Sequence, residues 1–565
     1  MDISSCITSG NASPGFPAPS TLPNPDSPSK HTTAMQNPVR LKPHHAAFPQ
    51  RLIGILGFLL SALMLPAATL HLDAVKGNDS SGDGSSGAPF RSFQRALAAL
   101  QTGDTLLMYD GNYGDIFAGR TNHPAWQAEP VQHFSDWVTV EAAPGHHPTL
   151  NTLSLGTVNI PDSGSPRQKI PFSQKGNVDV WMVFDGLTVE DGISISGARN
   201  VEIRNCKVSS KGPLNGSTAI MDGLAAVKIH NGRYITISDC EITQTAIGIN
   251  AASYDLTIRD NHIHHISHDG IRALGGEDWL IEGNRIHNLD DGLNDNAVDE
   301  DGNLIPWNRH ADGIHVFTAA DTIARLTIRG NVFFHIESMG IMAQNGKTDR
   351  VHSDWFIENN VFGPAGGLVF HFGTPVFGRN VFRHNTVVYA PNDVWTSIFG
   401  RRMQGTIYRM SIWNVKPELI DQTLFYNNCF VNANGFSSVA HFNFGLNAAN
   451  PFFSETTGFP YEVPPGNIED FINSGKRPGA PIAANALTDA GVTNHASELR
   501  KDILGYTRDG LPDIGAYEWN ATSTPPLQLN PVGNRVITAG QPMTIQVSAE
   551  DAGSAVLEFS ATGPD

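Results

Sequence analysis

Leu256–Leu274 reads LTIRDNHIHHISHDGIRAL, and its phrasing returns in WLIEGNRIHNL (Trp279–Leu289), HADGIHVF (His310–Phe317) and LTIRGNVFFHIESMGIMAQNGK (Leu326–Lys347). The shared phrase is a set of alternating apolar residues, an Asn, another apolar residue, a short gap and Gly-Ile. A phrase that recurs every twenty-odd residues marks a repeat fold in which one coil stacks on the next. Aligned on the apolar residues, one position is held by Cys206, Cys240, Asn261, Asn284, Asn331, Asn360, Asn385 and Asn428, with steps of 21 (240 to 261), 23 (261 to 284) and 25 (360 to 385). Stacked at the strand spacing of roughly 4.8 Å, such amides can bond one another from coil to coil. The longer step from Asn284 to Asn331 requires an inserted loop or an extra coil.

The Gly-Ile phrase opens the next strand of each coil. Its apolar member should point inward, so the next residue points outward. The expected first outward column is Lys228, Asn250, Arg272, His315, Met342 and Val369; the second is His230, Ala252, Leu274, Phe317, Gln344 and His371. Lys, Asn, Arg and His on successive coils would form a cationic strip, read here as a substrate groove. Two copies carry Asp-Gly-Ile beside histidines: His268-Asp269-Gly270-Ile271 and His310-Ala311-Asp312-Gly313-Ile314. On neighbouring coils, Asp269 and Asp312 would bring their carboxyls roughly 5 Å apart, the separation of a retaining glycosidase pair. They could instead hold a cation or share a proton, and Asp-Gly is also ordinary turn chemistry.

Between Leu289 and Ala311 the chain reads DDGLNDNAVDEDGNLIPWNRH. Asp290, Asp291, Asp295, Asp299 and Asp301 are hard oxygen ligands of the kind calcium takes, although DEDGN lacks EF-hand spacing and a solvated acidic loop is an equal reading. Trp307 could stack on a sugar ring. The run His262, His264, His265 and His268 has no second cluster at ligand spacing, so it is not read as a zinc site.

Composition fits this reading. The chain has 565 residues, 55 glycines, 37 Lys+Arg against 55 Asp+Glu and a formal charge of −18, which excludes a nucleic-acid binder resting on a broad basic surface. Residues 1–50 are Pro/Ser/Asn-rich with no apolar period and are expected to be disordered. LIGILGFLLSALMLPAA (Leu52–Ala68) after Arg51 reads as a secretory signal over 51–68, with a membrane anchor as the alternative. Removal of the signal would leave a secreted or cell-surface protein, expected to be a monomer with no stable membrane insertion. Four cysteines are too few for a disulfide scaffold.

GND (Gly77–Asp79) with GAPFRSFQRALAALQTGDTLLMYDGNY (Gly87–Tyr113) resembles the N-terminal cap of secreted right-handed parallel β-helix proteins of the pectate-lyase-like superfamily. Its expected parts are a strand Leu70–Val75, a helix Pro89–Leu100 and a strand Thr105–Tyr109. DIGAYE within RDGLPDIGAYEW (Arg508–Trp519) resembles the closing strand of the same group. After a linker at 520–526, residues 527–565 resemble the start of an immunoglobulin-like module. The resulting fold class is all-β: a right-handed parallel β-helix solenoid with an N-terminal capping helix over 69–519, then a short partial β-sandwich segment.

The resemblance implies a partner that is a polysaccharide, expected to be acidic, and an enzyme that cleaves a uronate-containing chain by β-elimination, with calcium as a possible cofactor. The expected base is Lys228 or His315, the carboxylate neutraliser Arg272 with Asn250 or calcium, and the orienting groups Asp269 and Asp312. His230, His268, Trp307, His310, Gln344 and His371 are the expected substrate contacts. HADGIH is also similar to the Asn-Thr-Asp-Gly-Ile-Asp phrase of polygalacturonase-type hydrolases, with histidines in place of the flanking Asn and the last Asp. A hydrolase using Asp269 and Asp312, and a non-catalytic carbohydrate-binding or adhesion protein, are the alternatives.

Overall fold

The computed structural model describes residues 67–119, 134–156, 178–210, 224–290, 311–318, 322–345 and 351–363, and a series of shorter segments between 368 and 550. Its strands stack in the order in which the chain makes them. In the nine-stranded sheet each strand lies beside its sequence neighbour's counterpart, from Thr149–Leu150 through His262–Ile266 and Arg285–Leu289 to Thr386–Val387. The pairings along both large sheets are parallel. Strand Ile247–Arg259 changes register between Ala251 and Ala252, so it supplies two successive segments of a coil before His262–Ile266 supplies the third.

The alternation of the sequence becomes the core. Ile203, Ile237, Ile258, Ile281, Ile328, Ile357 and Phe382 form one continuous ladder column, and Val208, Ile242, Ile263, Ile286, Phe333, Phe362 and Val387 another. All are buried. Each such side chain stabilises the fold by about 1.5–3 kcal/mol through its removal from water. Val227, Ile249, Ile271, Ile314 and Ile341 form the inward column of the Gly-Ile phrase, as expected. Gly248, Gly270 and Gly313, which precede three of them, are required by close approach of coils. A Cβ on Gly248 would sit 2.3 Å from the Gly270 carbonyl oxygen, and one on Gly313 2.5 Å from that of Gly340.

The asparagine column is a hydrogen-bonded ladder. Nδ2 of Asn261 donates to Oδ1 of Asn284 (2.9 Å), Asn284 to Asn331 (2.9 Å), Asn331 to Asn360 (3.0 Å), Asn360 to Asn385 (3.0 Å) and Asn385 to Asn428 (2.8 Å). The step from Asn284 to Asn331 is a single coil carrying an insertion, because Arg285 pairs with Val332 and Ile271 with Ile314. Just before the ladder, Asn205, Asp239, Asp260, Asn359, His384 and Asn427 hold left-handed φ values between 52° and 56°, a bend that Asn and Asp tolerate at low cost. Cys206 and Cys240 extend the column as buried free thiols.

The cap is smaller than its periodicity suggests. The strand is Thr69–Leu72 and the helix Phe93–Leu97. Asp73 Oδ1 accepts from the N–H groups of Val75 and Lys76 and turns the chain, and Asp79 Oδ1 accepts from Arg91 and Ser92, which holds Pro89–Ser92 outside the helix. Ser92 caps it through Arg95 N–H (3.3 Å), and Phe93, Ala96 and Leu97 are buried. Gln528–Leu529 and Ala549–Glu550 pair antiparallel. The remainder of 527–565, the linker 520–526, residues 1–50 and the apolar run up to Pro66 lie outside the described residues. Among the described residues no helix is long and apolar enough to cross a membrane.

Candidate active site

The first outward column runs Lys228, Asn250, Arg272, His315 and Met342 in direct register, as expected. Its next member is His371 rather than Val369, because Ile341 pairs with Phe370 and Met342 with His371. A slip of two residues keeps every side chain on its face, so alternation alone could not detect it. In the second column His230 pairs with Ala252 and Phe317 with Gln344, but Ala252 pairs with Gly275, leaving Leu274 as the extra residue of a bulge.

The column read from the sequence as a cationic strip is largely buried. Asn250, Arg272 and His315 are 7%, 8% and 5% exposed, and Lys228 is half-buried. Charges in so dry a place need partners, and the two Asp-Gly-Ile turns supply them. Asp269 and Asp312 sit at equivalent places on neighbouring coils: the N–H of Gly248 donates to the Asp269 carbonyl, and that of Gly270 to the Asp312 carbonyl. Both side chains are fully buried. Asp269 Oδ2 accepts from Arg272 Nε at 2.7 Å and lies 3.2 Å from His315 Nδ1, while its Oδ1 lies 2.9 Å from His268 Nδ1. Arg272 Nη2 lies 3.2 Å from His268 Nε2, and Asp312 Oδ2 lies 3.7 Å from His315 Nδ1. Burial alone would raise the pKa of Asp269, but His268, Arg272 and His315 together hold it well below the usual carboxylate range. Asp269 is therefore an anion fixed at the centre of a basic cluster.

Lys228 lies two ladder steps from Arg272, with Asn250 between them. Burial lowers its ammonium pKa, opposed in part by the charge of Asp191. Asp191 was missed by the sequence reading although its signal was present: Asp191-Gly192-Ile193 is a third Asp-Gly-Ile copy, and Ile193 pairs with Val227. The Oδ1 of Asn250 is buried with no hydrogen-bond partner among the described residues, leaving an acceptor beside the column.

Of the other expected residues, His230 is exposed and His268 joins the Asp269 cluster. Gln344 and His371 are placed only by backbone register. Trp307, His310, Asp291, Asp295, Asp299 and Asp301 lie outside the described residues. Asp290 is fully buried beside strand Arg285–Leu289, its N–H donating to the Ile266 carbonyl at 3.1 Å, and is not part of the metal-capable group. That group is Asp269, Asp312 and His315, whose ligating atoms lie within 4.8 Å of one another. Among the described residues this group offers two carboxylates and one imidazole, against the six to eight oxygens that calcium takes, and Asp269 is already engaged by Arg272 and His268.

The histidine run divides. His262 and His264 leave His268 and stack with His287 on the second sheet, and His265 lies edge-on to His264 and His287, His262 Nε2 lying 2.6 Å from His287 Nε2 and His264 Nδ1 2.6 Å from His265 Nδ1.

The sequence matches the family model of the right handed beta helix region over residues 181–362 and 245–397. No curated protein matches it. Among solved structures, pectate lyase Pel9A is similar at 16% identity and a TM-score of 0.44, over 81% of this chain and 97% of that one. The surface protein and adhesin PfbA of Streptococcus pneumoniae is similar at 12% identity and a TM-score of 0.29, over 57% and 93%. A lacto-N-biosidase from Eubacterium ramulus is similar at 11% identity and a TM-score of 0.30, over 71% and 65%. The parallel ladders and the family-model match identify the domain as a right-handed parallel β-helix.

Proposed function

We propose that this protein is a polysaccharide lyase that cleaves a uronate-containing chain by β-elimination. The observation that carries the reading is the register of Lys228, Asn250 and Arg272 on three successive coils, with Arg272 fixed by Asp269 at 2.7 Å. β-Elimination requires the uronate carboxylate to be neutralised and the proton α to it to be taken by a base. The Arg272 guanidinium, oriented by Asp269 and His268, is the neutraliser, and a planar guanidinium suits a carboxylate. Lys228, with its pKa lowered by burial, is the base. It takes the α proton, the electron pair forms the ring double bond, the bond to the leaving oxygen breaks, and the lysine ammonium returns the proton to that oxygen. Asn250 lies between the two and offers a buried acceptor to a sugar hydroxyl.

The hydrolase alternative is less well served. A glycosidase acid needs a carboxyl whose pKa is raised, whereas Asp269 is held ionised, and both carboxylates are fully buried. Incubation with alginate, pectate and glycosaminoglycans tests the proposal. Growth of ultraviolet absorbance from unsaturated ends supports it. New reducing ends without absorbance would favour hydrolysis, and binding without cleavage would favour a carbohydrate-binding or adhesion protein.

A further inference from the structure

The motif Arg508–Trp519, expected to hold a closing strand, forms bends among its described residues and docks on the stack, the Ala516 N–H donating to Thr386 Oγ1 at 2.8 Å. Arg508 is buried, and it donates to Glu518 Oε2 at 2.9 Å, to Asn359 Oδ1 at 2.9 Å and to the Gly515 carbonyl at 2.9 Å. Burial of an ion pair costs several kcal/mol per ion and is weak evidence of stabilisation by itself. What this network does is hold aromatic residues. Asp502 Oδ1 accepts from the N–H of Tyr506 at 2.7 Å and its Oδ2 from that of Glu518 at 3.0 Å; Asp513 Oδ2 accepts from the N–H of Trp519. The Tyr517 hydroxyl donates to the Pro478 carbonyl at 3.1 Å.

These residues wall a half-open cavity of about 170 Å³, lined by Tyr506, Tyr517, Trp519, Leu504, Arg477 and the neutralised Glu518, among others. A cavity of this size has room for several waters and admits one sugar ring. Arg477 is half-buried and forms no ion pair among the described residues, so the cavity carries an unmatched positive charge. Preorganised rings with an apolar face and a polar tip, beside a free guanidinium, form a site for a ligand with one flat apolar face and one carboxylate.

We propose that this cavity is a binding subsite for a single pyranose ring carrying a carboxylate, built from no residue of the Lys228–His315 column. It shares its ligand class with the proposed function and rests on that reading to this extent. The buried Asp502–Arg508–Asp513–Glu518 network serves it by fixing the backbone that carries Tyr506 and Trp519.

The test is saturation-transfer NMR on the full chain with D-glucuronate and, as a neutral control, methyl glucoside. At the efficiency typical of small ligands, glucuronate binds with a Kd of about 1 mM. Arg477→Gln weakens glucuronate at least tenfold and leaves methyl glucoside unchanged, Arg477→Lys recovers part of the loss, and Tyr506→Ala weakens both. An unchanged Tm for the Arg477 variants excludes misfolding. Absence of glucuronate transfer, or equal binding by Arg477→Gln, overturns the subsite. If no polysaccharide is cleaved but Arg477-dependent glucuronate binding is found, the lyase reading falls and the subsite stands. Cleavage without glucuronate binding reverses that outcome.

Discussion

Asn331→Ala removes the centre of the asparagine ladder. The Oδ1 of Asn331 accepts from both the N–H and the Nδ2 of Asn284, each at 2.9 Å, and its Nδ2 donates to Asn360 Oδ1 (3.0 Å) and to the carbonyls of Ile281 (2.9 Å) and Arg329 (3.0 Å). Alanine strips these bonds in a fully buried column that water does not reach. A buried polar group left bare costs about 1–3 kcal/mol, and several do so here, giving a loss of about 3–6 kcal/mol against a total stability of roughly 5–15 kcal/mol. Asn261→Ala is a milder perturbation, because Asn261 Oδ1 accepts from the Cys240 N–H at the column's change of residue type and from no further asparagine amide. Its cost should be smaller by about one hydrogen bond, roughly 1 kcal/mol. Urea denaturation followed by far-ultraviolet circular dichroism measures both. A loss below 1 kcal/mol for Asn331→Ala, or equal losses for the two variants, would refute the claim that the ladder stabilises the stack bond by bond.

Acid should weaken the fold through the stacked histidines. Burial, with help from Arg285 in one case and neighbouring imidazoles in the other, lowers His262 to about 4 and His264 to about 3, and His265 and His287 are also lowered, chiefly by burial. A base with a depressed folded pKa binds fewer protons folded than unfolded, so stability is present above the unfolded value of about 6.5 and is lost as pH falls from there toward 4. With allowance for partial solvent access, the loss is about 2–4 kcal/mol. Tm measured from pH 7 to 4.5 should fall, and less steeply in His262→Gln/His264→Gln; identical slopes would exclude these groups. Asp269→Asn leaves Arg272 buried without its anion and should cost about 3–5 kcal/mol in stability. It should also raise KM for the uronate substrate at least tenfold, and an unchanged KM in a folded variant would mean that Asp269 does not position Arg272.

Much of the architecture could be read from the sequence because a stack repeats its physics in every coil. Ile271 and Ile314 face inward for the reason that Ile249 does, and the ladder asparagines occupy one column because each amide bonds the next. What failed were features that alternation does not encode. A two-residue slip at His371 preserves faces, and the bulge at Leu274 consumes a residue without changing composition. The site was legible as a list, since Asp269, Arg272 and His315 do meet. Its charge balance was not, because alternation gives the face a side chain points to and not how dry that face is. Burial turned a supposed cationic strip into a cluster centred on one anion, and it left Asp191 as the unnoticed partner of Lys228. His287, twenty-five positions from His262, could be recognised as part of the histidine stack only after the register was known.

The most direct test of the account is the rate of unsaturated-end formation by the wild-type chain, Lys228→Ala and Arg272→Gln across pH on the polysaccharide that the screen identifies. A lysine base with a lowered pKa predicts that kcat/KM rises with pH along a limb set below the ordinary lysine value of about 10.4. Lys228→Ala should remove both the limb and at least a hundredfold of the rate, and Arg272→Gln should act mainly on KM. Full activity in Lys228→Ala, or a wild-type profile with no such limb, would contradict the assignment of Lys228 as the base.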